Sequence, residues 1–313
     1  MSQGLTPEEY AAAQAALSAE TARQVAHLGG LFAKPSLAVP DWLVFLKYLF
    51  SFVSDQRYKS ARLGRTFYDD QRALTFPELP PFETHLETYD FERFVRDMDP
   101  ARVRMSLADS DSNAVGQLGL QAVRTVENGG RHQVIHSVED DHALDPVIEA
   151  QRYQLPAGSI SGGKIVRGWA RVAMGHNPCA FCLMLVSRGP VYYSAEAAGA
   201  KTNTDLSGLG SDPSADASDL MNQWHPGCQC KVVPVFKNEG WFGQEQSQRA
   251  LELWNQATRT AIAEQEDDPD RTHDFGKNNG RQFTRNQLAL NALRRSLQRG
   301  DIAPQEWSAL AAA

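Results

Sequence analysis

Cysteine is scarce in this chain, with four residues in 313. That count excludes the disulfide-stapled class of small secreted folds. The N-terminal stretch "MSQGLTPEEYAAAQ" has neither a basic start nor an apolar run, so no signal peptide is read there and the thiols are expected to be reduced. Long apolar runs are missing too. The most apolar stretch, "WLVFLKYLFSFV" at 42–53, contains Lys47 and falls short of the ~20 residues a membrane span needs, so it predicts a buried helix. Positive charge is in deficit, at a net −7, which argues against a dedicated nucleic-acid coat protein. No nucleotide-binding loop, G-x-S-x-G elbow, internal repeat or heptad array is found.

What is present suits a protein of two or three compact units: 313 residues are many for one core. The apolar fraction of 42% and mean hydropathy of −0.43 leave room for exposed segments. Thr6, Pro7 and Glu9 open a first helix with a capping box and a proline at the first helical position. Gly29-Gly30 is expected to stop it. A second helix starts near Asp41, with Leu46, Leu49, Phe50 and Val53 on one face, and can continue through "RYKSARLGRTFYDDQRAL". The connector "TFPELPPFE" at 75–83 ends it. A short helix capped by Asp90 follows, striped by Phe91, Phe94, Val95 and Met98. The next, about 112–128, is expected to end at Asn128-Gly129-Gly130.

Near residue 155 the character changes. "KIVRGWARVAM", "GPVYYS" (189–194) and "KVVPVF" (231–236) read as short strands, and the polar stretch 201–219 between the last two reads as a loop. Helices resume at roughly 243–266, 283–299 and 304–311. The fold class is therefore α+β: a mostly helical chain with a small mixed core, flanked by N- and C-terminal helices. The expected regions are 1–110, helical; 111–236, the α+β core; and 237–313, a helical tail with an acidic hinge and a basic helix.

All four cysteines gather in the core, in "NPCAFC" and "HPGCQC". Cys179-x-x-Cys182 lets two sulfurs reach one metal from a single turn, and His225, Cys228 and Cys230 offer three more donors. Five candidates for the four corners of a zinc tetrahedron leave Cys₄ and Cys₃His both open. A zinc there would pin two strands of a domain too small to hold by burial alone. Metal-free thiols, or a disulfide formed after release from the cell, are the plain alternatives. Catalytic readings are weaker. "PCAFC" with "HLE" at His85–Glu87 imitates a zinc deaminase signature, but the halves lie more than ninety residues apart. A thioredoxin-type motif leaves the second cysteine group unexplained.

The tail carries Arg271, Lys277, Arg281, Arg285, Arg294, Arg295 and Arg299 against a lone Asp274, just after an acidic run at 264–270. Such a face is either a solvated helix surface or a contact for phosphates. The residues named for nucleic-acid contact are Arg281, Arg285, Arg294, Arg295 and Arg299.

"NPCAFCLMLVSRGPVYYS", followed after a loop by "WHPGCQCKVVPVF", resembles the core of the phage Mu F-like minor head proteins. The shared pattern is a C-x-x-C knuckle, a short strand, and H-P-x-C-x-C running into an apolar strand. "GWARV" and "SRGPVY" further resemble the version found in tailed phages of actinobacteria. The resemblance covers about 110–236, and the polar loop inside it is longer than in compact members. It implies a non-enzymatic virion protein of head morphogenesis, made in the host cytoplasm and placed inside the capsid at the portal vertex. Its implied partners are the portal protein and, beyond it, the major capsid protein and packaged DNA, with no membrane and no small-molecule substrate. Aromatics on more than one face of the 42–53 helix fit either docking on a partner or burial on all sides. Two other functions compete. A capsid maturation protease would draw on His136 with Glu139 or Asp140 and a serine. A DNA-binding head adaptor would depend on Arg294 and Arg295.

Overall fold

A computed structural model describes residues 4–32, 38–105, 112–141, 168–174, 178–190, 224, 228–236, 240–273, 280–301 and 307. Among these the chain is mostly helical, with seven helices and one two-stranded antiparallel sheet. They fall into two compact units. One takes in the described residues up to Asp141 with Trp224 and Cys228; the other takes in those of 168–190 and from 229 onward.

The first unit is a bundle of α1 (Pro7–Phe32), α2 (Val39–Thr75), α3 (Phe91–Met105) and α4 (Ser112–Asp140). The capping box forms as its sequence predicts: the Glu9 amide donates to Thr6 Oγ1 at 3.2 Å, and the Thr6 amide to Glu9 Oε2 at 2.9 Å. Asp90 caps α3 by accepting from the Arg93 amide at 2.7 Å. Trp42, Phe45, Leu46, Leu49 and Val53 of α2 meet Phe94 and Met98 of α3 and Leu118, Ala122 and Val126 of α4 in the core. The i, i+3 and i+4 steps of these residues turn one stripe of each helix inward. The same stretch of α2 also has an outward side, where Val44 and Tyr48 are exposed.

Two expected helix stops are not stops. α1 runs through Gly29-Gly30 and α4 runs through Gly129-Gly130. The reason is close packing. A Cβ on Gly29 would lie 2.8 Å from Leu118 Cδ2, and one on Gly129 would lie 2.5 Å from the Arg57 carbonyl oxygen. A Cβ on Gly130 would collide with Gln14 and stand 2.8 Å from the Ser60 oxygen, and one on Gly64 would stand 2.5 Å from the Gly130 oxygen. The glycines let α2 and α4 touch backbone to backbone. Ser60 uses that approach: its Oγ accepts from the Gly130 amide at 3.0 Å and donates to Gln14 Oε1 at 2.7 Å.

The second unit holds β1 (Gly168–Ala173), α5 (Ala180–Val186), β2 (Cys230–Val235), α6 (Gln244–Asp267) and α7 (Arg285–Arg299). β1 and β2 pair antiparallel from Gly168↔Val235 to Ala173↔Cys230. Both strands are buried almost throughout, which is why they read as near-continuous apolar runs rather than alternating ones. α7 begins with a second capping box, Thr284 with Gln287, and ends at Gly300, whose φ of 78° suits glycine. Of the expected strand at 189–194, Gly189 and Pro190 belong to the bend after α5, and 191–194 lie outside the described residues. The loop 201–219 and, apart from the buried Trp307, the helix 304–311 lie outside them as well.

Candidate metal centre

The C-x-x-C spacing is explained by the first turn of α5. Cys179 is the N-cap, and its Sγ accepts from the Cys182 amide at 3.3 Å. Three residues apart at a helix start, the two side chains emerge at the same end of the helix. Cys182 is buried and Cys179 half-buried. The C-x-C spacing is explained by β2: residues two apart on an extended chain share a face, and Cys230 is the first strand residue, directly opposite Ala173.

The fold brings these pieces together. The Sγ atoms of Cys182, Cys228 and Cys230, all buried, lie within 4.8 Å of one another. Tetrahedral zinc with sulfur at ~2.3 Å places its sulfurs ~3.8 Å apart, so a small contraction turns this triangle into three corners of a zinc site. No disulfide joins any of the four cysteines. Cys179 stands outside the triangle, and His225 lies outside the described residues.

Surrounding residues hold the cysteine-bearing elements. Gln246 of α6 grips the end of β1: its Oε1 accepts from the Ala173 amide and its Nε2 donates to the Ala173 carbonyl, both at 2.8 Å, and also to Trp307 at 2.8 Å. Ser247 Oγ donates to the Val186 carbonyl at the end of α5 at 2.9 Å. Gly243, at φ 90°, leaves room for Val172, whose Cγ2 a Cβ there would meet at 2.6 Å. Arg131 of α4, fully buried, donates to the Cys228 carbonyl at 2.7 Å, pairs with Glu127 and lies 5.0 Å over the Trp224 ring. Arg131 thus fixes both Trp224 and Cys228. None of this support was legible in the sequence, where Arg131 and Gln246 look like surface residues.

The other residues named from the sequence sit elsewhere. Arg281, Arg285, Arg294 and Arg299 are exposed, while Arg295 is half-buried and paired with Glu264. Arg299 pairs with Asp301 at 2.7 Å, and Arg294 donates to Asn291 at 2.7 Å. Glu264 also takes Arg271 at 3.3 Å, so the acidic run partly neutralises the basic helix beside it. His136 lies on α4, its ring 6.2 Å from that of His132, and burial pushes the Glu139 carboxyl up against the pull of His136.

Glu87 of the "HLE" stretch belongs to an ionic cluster that sequence reasoning missed. Arg57 donates to it at 3.0 Å and Arg93 at 2.5 Å, with His132 Nδ1 3.9 Å away. Burial alone would push Glu87 up, but His132, Arg93 and Arg57 outweigh it and hold the carboxyl far below its ordinary range. Burial pushes His132 the other way, below its ordinary value, in spite of Glu87.

The family model for the VG15 protein matches residues 1–257, more than three-quarters of the chain and both cysteine groups. This chain belongs to the VG15 family. Two relatives are each called "Gene 15 protein". That of Mycobacterium phage L5 is 40% identical over 320 aligned residues, covering 97% of this chain and 99% of its own length. That of Mycobacterium phage D29 is 38% identical over 300, covering 93% and 98%. No solved structure matches. In this VG15 chain no helix among the described residues is long and apolar enough to cross a membrane. The VG15 match ends inside α6, so α7 and its arginines lie beyond it, although the alignment to the phage L5 relative covers nearly the whole chain.

Proposed function

We propose that this VG15 chain is a minor head protein of a tailed phage, a non-enzymatic part of head morphogenesis whose core is closed by a structural zinc. The observation that carries this reading is the convergence of Cys182, Cys228 and Cys230, from both halves of the Mu F-like pattern, in a chain whose relatives are phage proteins. Cys182, Cys228 and Cys230 supply three ligands, and Cys179 or His225 the fourth. The metal's chemistry here is cohesive: it cross-links a helix start to a strand start in a two-stranded core. The chain acts inside the head at the portal vertex, with the portal protein as its partner and packaged DNA within reach of Arg281, Arg285, Arg294 and Arg299.

The test is a count. Quantitative mass spectrometry of mature particles should find a few intact copies of this chain beside a full complement of portal. Absence from mature heads, with presence in immature ones and a shortened major capsid protein, would replace this reading with the maturation protease.

A further inference from the structure

The first unit contains a cleft of about 490 Å³ between α2 and the connector leading to α3. Its α2 side presents Asp55 and Tyr58, and its other side is residues 86–89. From 80 to 90 the connector runs without turn or bend, outside any helix or strand. Among the described residues, no main-chain N–H or C=O of Leu86, Glu87, Thr88 or Tyr89 makes a hydrogen bond. Yet the segment is firmly held by its side chains. Tyr89 donates to Asp97 at 2.7 Å, its ring lies 4.4 Å under the Arg57 guanidinium, and Glu87 is clamped by Arg57 and Arg93. A backbone held in place by its side chains, with its own N–H and C=O groups unpaired among the described residues, is a ready edge for strand addition.

Charge narrows the occupant. Among the lining residues the one cation, Arg57, is 5% exposed and turned to the Thr125 carbonyl and Glu87. The lining charges open to water are carboxylates: Asp55 at 54% exposure and Glu87 at 29%. Asp55's pair with Lys59 is exposed on both sides and weakly held. The Tyr58 ring, half exposed beside Asp55, adds an aromatic face suited to a cation.

We infer that this cleft binds an extended polypeptide segment of a partner protein, paired to the main chain of 86–89 with a lysine or arginine side chain set against Asp55 and Tyr58. This goes beyond the head-protein reading and does not depend on the metal. A cleft of this size takes about four residues, matching the unpaired stretch.

The test is hydrogen exchange of the full-length chain with the probe peptide acetyl-Thr-Val-Lys-Val-Thr-amide. In the free chain the amides of 86–89 exchange without protection. With the peptide at about 10 mM, roughly ten times the ~1 mM dissociation constant of a weak single-strand contact, those facing the cleft slow by about tenfold. A backbone N-methylated peptide, whose methyl groups block the close approach of a paired strand, gives no slowing, and the peptide with glutamate in place of lysine gives several-fold less. Tyr58→Ala and Asp55→Asn weaken the effect without moving the thermal midpoint, because both side chains are exposed. The inference is overturned by protection of 86–89 in the free chain, by no slowing with the lysine peptide, by equal slowing with either control peptide, or by full retention in both variants.

Discussion

Gly64, Gly129 and Gly130 lie where α2 and α4 touch, and each is chosen for what it lacks. A methyl on Gly130 meets Gln14 and the Ser60 carbonyl, backbone on one side and a bonded side chain on the other, so neither can move aside cheaply. Gly130→Ala is therefore expected to cost about 3 kcal/mol or more, the upper range for overpacking a tight core. Chemical denaturation would show it as a lowered midpoint. A midpoint unchanged from the parent would mean that the helices do not meet there. Asp141 works by the opposite logic. It is fully buried, receives Tyr68 at 2.7 Å and two donors of Arg72, and anchors the end of α4. Asp141→Ala strands the Arg72 charge and is expected to cost about 4 kcal/mol. His132 sets an acid limit. Its neutral form is favoured in the fold, so the unfolded chain binds the extra proton first as pH falls through the ordinary value of 6.5. Stability of the first unit is full above that value and declines below it, whereas Glu87, held below its ordinary value, stabilises the fold above about pH 4.5 and loses that contribution only as the pH falls further. His132→Gln should remove the decline between pH 6.5 and 5 in a series of thermal melts, and an identical decline in the variant would exonerate the histidine. None of these residues can be recognised from sequence alone, because a glycine pair marks a stop and a close approach with the same letters.

At the scale of elements, what was legible was local. Both strands of the sheet, the long α2, and the starts of α1, α3 and α7 follow from capping residues and apolar periodicity within one segment. What stayed hidden depends on residues far apart in the chain. The extension of α4 to Asp140 is secured by contacts with α2, and the basic face of α7 is toned down by Glu264 on α6. Gln246 is the clearest case. One amide closes the end of β1 with two hydrogen bonds and holds Trp307 with a third. Gln246→Ala leaves buried backbone groups without partners, at an expected cost of about 3 kcal/mol. Because Ala173 pairs with Cys230, the variant should also bind metal more weakly. Unchanged metal affinity would separate the strand end from the cysteine triangle.

For the whole molecule, the sequence gathered the cysteines in outline and the fold brings three of them together. Spacing alone offered five donors. Three of them, Cys182, Cys228 and Cys230, converge within 4.8 Å, and Cys179 caps the helix that carries Cys182. That choice was illegible because it depends on the register that sets Cys230 against Ala173 and on Arg131 gripping the Cys228 carbonyl, neither of which is written in a motif. The proposed structural zinc rests on these sulfurs. The most direct measurement is the metal content of the full-length chain, purified without chelator, by elemental mass spectrometry alongside native mass spectrometry. One zinc per chain is expected, lost together with thermal stability in Cys182→Ser and Cys230→Ser. A folded, cooperative chain with no bound metal and with all four thiols open to titration would contradict it.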